Sequence, residues 1–113
     1  MVRQLLERGY RVRGTVRSLS KSGQYEFLSS LPGAAERLEL VEAELLVPGS
    51  YDAAATGCDV MIHTASPYKV NAKNPQRDLV DPAVNGTLNV LRSAKAAGVR
   101  RVVLTSSLAA ISA

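Results

Sequence analysis

The chain has 113 residues, 46% of them hydrophobic, and 14 Lys and Arg against 10 Asp and Glu give a formal net charge of +4. That length holds at most one small domain, and the composition is that of a globular chain rather than a disordered one. A single cysteine excludes an internal disulfide, a single histidine argues against a structural zinc site, and no apolar run approaches the roughly 18 residues of a membrane span.

The basic balance permits an anionic partner. The basic residues are scattered, however, and one Phe and four Tyr offer little surface for stacking on bases, so nucleic acid is not expected. Cys58 alone fits a reducing compartment. Arg3, Glu7 and Arg8 lie where a signal peptide would need its apolar core, so a cytoplasmic location is expected.

In chain order, Val2 to Arg8 has helical spacing and Gly9 is its stop. Tyr10 to Arg17 alternates, with Val12, Gly14 and Val16 on one side and Arg11, Arg13, Thr15 and Arg17 on the other, which is a strand signature. Ser18 to Ser22 reads as polar loop, and Gln24 to Leu31 as a short helix closed by Pro32-Gly33. Leu38 to Ala43 is a further strand, ending in Glu44-Leu45. After the turn Pro48-Gly49-Ser50, Ser50 is expected to cap a short helix that runs to Thr56 and stops at Gly57.

The strand from Asp59 to Ile62 feeds His63-Thr64-Ala65-Ser66-Pro67, and a polar loop continues to Pro75. Gln76 to Ala97 is the longest helix. Val80, Val84, Leu88 and Leu91 form one apolar stripe, of the kind an amphipathic helix buries, beside a polar edge of Asp81, Asn85, Asn89 and Arg92. Pro82 lies near its first turns, Gly86 is expected to allow close approach to the sheet, and Gly98 ends it.

The last strand, Arg101-Val102-Val103-Leu104-Thr105-Ser106-Ser107, runs from a basic pair through apolar residues into small hydroxyls. It and the Asp59 strand read as strands buried on both faces. Strict alternation of helix and strand predicts an α/β fold, a doubly wound parallel sheet of Rossmann type. Ligands in such sheets collect beyond the carboxyl ends of the strands, so the two hydroxyl-rich loops predict one site. A domain of this type opens on a central strand and a glycine-rich phosphate turn. Neither is in the sequence, so residues 1–113 are expected to be a partial domain, truncated at both ends. Omitting a central strand exposes two neighbouring strand edges, an aggregation hazard.

Four stretches in register resemble the extended short-chain dehydrogenases/reductases, and most closely their dihydroflavonol reductase and cinnamoyl-CoA reductase branch. They are Leu5 to Arg17, Gly57 to Pro67, Asp81 to Leu91 and Arg101 to Ser107. The resemblance implies an NAD(P)-dependent oxidoreductase with a small carbonyl or alcohol substrate and a Ser-Tyr-Lys constellation. Carried over by position, Ser107 matches the catalytic serine that hydrogen-bonds the substrate oxygen. Thr64, Ala65 and Ser66 match the loop beside the cofactor ribose and phosphates, and Thr105 lies at the same strand end as Ser107. Arg17 matches the basic residue facing the 2′-phosphate, with Lys21 assisting. Glu44-Leu45 stands where the family has Asp-Leu beside the adenine.

No acidic residue closes the Arg17 strand to hold a ribose 2′-hydroxyl, so NADP is favoured over NAD. A guanidinium also grips a phosphate bidentately. The glycine fingerprint and the Tyr-x-x-x-Lys pair have no match, and Tyr68-Lys69 has the wrong spacing, so the chain alone is expected to be inactive. His63 reads as a packed histidine and Cys58 as an inert thiol. The family habit implies a homodimer to which the Asp81, Asn85, Asn89 and Arg92 edge contributes. Rival readings are a sugar-nucleotide epimerase/dehydratase or hydroxysteroid dehydrogenase of the same superfamily, a non-catalytic dinucleotide-binding module, or a truncated remnant.

Overall fold

A computed structural model describes residues 1–67 and 71–112. The chain divides into two compact units, Met1–Glu44 and Leu45–Ala113. Tyr68 and Lys69 lie outside the described residues.

In the first unit, α1 (Val2–Glu7) leads into β1 (Val12–Val16), which pairs in parallel with β2 (Leu38–Glu42). The helix ends as its sequence predicts. Gly9 takes φ +83°, and the amides of Gly9 and Tyr10 close back on the carbonyls of Leu6 and Leu5, satisfying the last turn. Along β1 the residues Val12, Gly14 and Val16 are half-buried while Arg13 and Thr15 are exposed, the alternation read from the sequence. Arg13 faces Glu39 across the strands, Nε to Oε2 3.0 Å.

Between these strands the structure adds what local patterning did not show. The stretch read as polar loop is a 3₁₀ segment, Leu19–Gln24, broken at Lys21. Then come α2 (Glu26–Ser29) and a further turn, α3 (Ala34–Arg37). Arg37 explains the second turn. Its guanidinium packs against Gly33 and donates to the carbonyl of Leu6 at 2.8 Å, a cation on the carbonyl end of α1. Leu6, Ala34 and Ala43 form this unit's buried apolar residues.

In the second unit, α4 (Asp52–Ala55) precedes β3 (Val60–His63), and the long helix α5 (Asp81–Ala96) precedes β4 (Arg101–Leu104). Strands β3 and β4 pair in parallel, Val60 opposite Arg101 through His63 opposite Leu104. Ser50 does not occupy the cap of α4: the helix starts two residues later, with Tyr51 at the N-cap and no side-chain cap. A π-helical turn, Gln76–Val80, enters α5. Pro82 has no N–H to donate and its ring crowds the carbonyl four residues back, so an ordinary α-turn cannot run through this point.

Two sequence expectations about burial are overturned here. The stripe of Val80, Val84, Leu88 and Leu91 is 45, 51, 40 and 36% exposed, whereas Asn89, from the polar edge, is only 7% exposed. The inward side of α5 is made of small residues, Gly86, Val90, Ser93 and Ala94, with Asn89 among them. Small side chains win because the chain passes so close. A Cβ at Gly86 would stand 2.6 Å from Leu45 Cγ, and Asn89 Nδ2 donates to the Leu45 carbonyl at 2.9 Å. Gly86 therefore admits the Leu45 segment, not the sheet. One turn further, Ser93 Oγ donates to Asp52 at the start of α4.

The second correction concerns β3 and β4, which are not buried on both faces. Val60, Ile62 and Val103, which share a face, are exposed, as is Leu104, while His63 is buried. A two-stranded sheet with one long helix in its unit has cover for one face only.

Candidate functional site

Each candidate residue falls at the carboxyl end of a strand or in the loop beyond it, where the polarity of a parallel sheet leaves backbone groups unpaired. In the second unit the two hydroxyl loops come together as expected. The ladder of β3 and β4 runs one residue past the strands, with the Thr105 amide donating to the His63 carbonyl at 3.0 Å. Thr64-Ala65-Ser66 and Thr105-Ser106-Ser107 therefore start side by side, and all six residues are exposed. The Ser107 carbonyl accepts from the Ala110 amide and opens a short 3₁₀ turn, Leu108–Ala110.

His63 lies directly beneath this pair of loops. Burial pushes its imidazole below the ordinary value of 6.5, so it is neutral near physiological pH. It serves as packing, as its apolar strand suggested.

Leu45, read as an adenine neighbour, is half-buried with its side chain against Gly86 and its carbonyl held by Asn89. Glu44 closes the first unit and is half-buried.

In that first unit, Arg17 and Lys21 share the segment that follows β1, and both are exposed. The segment is pinned from two sides. The Ala43 amide donates to the Val16 carbonyl at 2.9 Å, and the Leu19 amide donates to Glu42 Oε1 at 2.7 Å. Glu42 is a positioning residue that sequence reasoning missed, because nothing in a strand-end glutamate announces a partner 23 positions away. Arg13 is committed to Glu39, whereas Arg17 makes no ion pair among the described residues. Beside it, Ser18 and Ser20 pair through their hydroxyls at 2.6 Å. A guanidinium, an ammonium and hydroxyls on one exposed segment suit a phosphate monoester.

Comparison with known proteins shows the family and the fold. Residues 1–112 match the NAD(P)H-binding family, and the chain belongs to it, with the Rossmann-type α/β fold. Its relatives are reductases. The chain is 50% identical over 112 residues to the cinnamoyl-CoA reductase CAD2 of Medicago truncatula, covering 98% of itself and 34% of that protein. It is 42% identical over 107 residues to dihydroflavonol 4-reductase of Dianthus caryophyllus, covering 95% of itself and 30% of that protein. The crystal structure of vestitone reductase from alfalfa superposes with a TM-score of 0.76 at 36% identity, over 96% of this chain and 32% of that one. The chain thus spans about a third of the length of the relatives it matches. No helix among the described residues is long and apolar enough to cross a membrane.

Proposed function

We propose that this chain is the dinucleotide-binding part of an NADP-dependent reductase acting on a small carbonyl or alcohol substrate, of the dihydroflavonol and cinnamoyl-CoA reductase type. The observation that carries the reading is the Thr105 to His63 hydrogen bond, which sets two hydroxyl loops side by side at the ends of two parallel strands. When bound, the nicotinamide supplies or accepts the hydride.

The residues of this chain hold and orient. Ser107 donates its hydroxyl proton to the substrate oxygen, polarising the carbonyl without itself becoming a nucleophile. Thr64, Ala65 and Ser66 line the ribose and phosphates, with Thr105 at the same strand end. Glu44 and Leu45 flank the adenine. Arg17, helped by Lys21, takes the 2′-phosphate, which makes NADP the cofactor and NAD the poorer one. Turnover belongs to a chain that also supplies a glycine-rich phosphate loop and the Tyr-x-x-x-Lys pair. The protein works in the cytoplasm, where Cys58 stays reduced. It forms a homodimer to which the exposed Asp81, Asn85 and Arg92 of the α5 polar edge contribute, Asn89 being turned inward.

The test is a thermal-shift titration of the chain with NADPH and, separately, NADH, repeated for Arg17→Gln. The expected result is a saturable rise in melting temperature with NADPH that Arg17→Gln removes. An equal response to both dinucleotides, or to wild type and variant, would overturn the assignment of Arg17.

A further inference from the structure

We propose that Ser20 is a site of reversible phosphorylation, and that its phosphate takes Arg17 as counter-ion and so closes the cofactor's 2′-phosphate subsite. The inference rests on Arg17 being the cation for that phosphate. A phosphoserine and the 2′-phosphate of NADP are the same chemical group, a phosphate monoester of about two negative charges, and they compete for the same guanidinium.

Sequence and structure converge on Ser20. Arg17-Ser18-Leu19-Ser20 sets a guanidinium three residues ahead of a hydroxyl, the spacing that lets an arginine-directed protein kinase seat the arginine in an acidic pocket while the hydroxyl meets ATP. Ser20 is exposed, whereas Ser18 is half-buried. The segment is a 3₁₀ turn already broken at Lys21 (φ −96°, ψ 41°), and opening it into a kinase cleft releases the Leu19 amide from Glu42 and parts the Ser18 and Ser20 hydroxyls. The Ser20 hydroxyl lies 2.6 Å from that of Ser18, the residue directly after Arg17.

The charges around the segment define the switch. Glu42 holds the loop through the Leu19 amide at 2.7 Å, one residue from Ser20. A dianion on Ser20 repels that carboxylate and draws in Arg17 and Lys21, the two exposed cations of the segment. In the transfer itself, a bond forms from Ser20 Oγ to the γ-phosphorus of ATP. The terminal anhydride P–O bond breaks, ADP leaves with that electron pair, and the hydroxyl proton passes to the kinase's catalytic carboxylate.

Two measurements on the 113-residue chain test this. Incubation with an arginine-directed serine/threonine kinase and Mg-ATP should place phosphate on Ser20, located by mass spectrometry, and Ser20→Ala and Arg17→Gln should each abolish it. Separately, with phosphoserine installed at position 20 during synthesis, phosphorus NMR should show its second pKa lower by about half a unit with Arg17 present than in Arg17→Gln, the size expected of an exposed ion pair. Binding of 2′,5′-ADP, a probe carrying the 2′-phosphate, should weaken about tenfold on modification. No phosphate at Ser20, or superimposable titration curves, overturns the proposal while leaving Arg17 as the cofactor's cation. An unmodified chain that does not bind 2′,5′-ADP overturns the cofactor assignment and the switch with it, whatever the kinase does.

Discussion

The amide of Thr105 donates to the carbonyl of His63, 3.0 Å away and 42 residues earlier in the chain. This bond carries the parallel ladder one step past β3 and β4, so that the two hydroxyl loops leave the sheet together. Replacing Thr105 by Pro removes the donor and should destabilise the chain by about 1–3 kcal/mol in urea unfolding, whereas Thr105→Ala keeps the N–H and should lie within about 1 kcal/mol of wild type. Equal losses for both variants would mean that the hydroxyl, not the ladder, matters here.

Gly86 should tolerate no side chain. An added methyl would stand 2.6 Å from Leu45 Cγ, and the Leu45 backbone cannot retreat because Asn89 holds its carbonyl. Alanine gains about 1 kcal/mol in helix propensity, which the overpacking of about 1–3 kcal/mol outweighs. A double-mutant cycle checks the cause: Leu45→Ala should restore part of the stability lost in Gly86→Ala. Additive effects would place the strain elsewhere.

Asn89 is the polar residue that α5 turns inward. Asn89→Ala strands the Leu45 carbonyl and should cost about 1–3 kcal/mol, while Asn85→Ala, at an exposed position of the same helix, should change stability by less than about 0.5 kcal/mol. Chemical denaturation of the two variants side by side measures the contrast.

His63 sets a pH dependence of known sign. Its imidazole titrates below 6.5 in the folded chain because burial disfavours the cation, and near 6.5 when unfolded. As pH falls through 6.5 the unfolded chain takes up the proton first, so stability present above that value declines towards and through the folded pKa. The urea midpoint should drop as the pH is lowered from neutrality through 6.5, and His63→Gln should flatten that slope. Parallel slopes for the two proteins would remove His63 as the cause.

Much of the architecture was legible locally. The alternation of β1, the glycine stops after α1 and α5, and the hydroxyl-rich ends of β3 and β4 each depend on residues within a turn or a strand of one another, and each appears where the sequence placed it. The place of the two hydroxyl loops was legible for the same reason, since strand ends can be read from where apolar residues give way to small polar ones. The 3₁₀ turn at Leu19–Gln24 and the α3 turn were not, because what holds them is Glu42 and the contact of Arg37 with Leu6.

The sequence by itself determined the order of the four strands and of the first and longest helices, their parallel α/β character and the residues that crown the strands, because backbone sterics and side-chain periodicity act over a few positions. Only the tertiary structure decided which way α5 faces. Its apolar stripe looked like the buried side, yet Asn89 and Ser93 are the buried ones, through partners 44 and 41 positions away. A helix buries the side its neighbour can approach most closely. That neighbour, the Leu45 to Asp52 segment, requires small and hydrogen-bonding residues rather than large apolar ones, a demand no local pattern records.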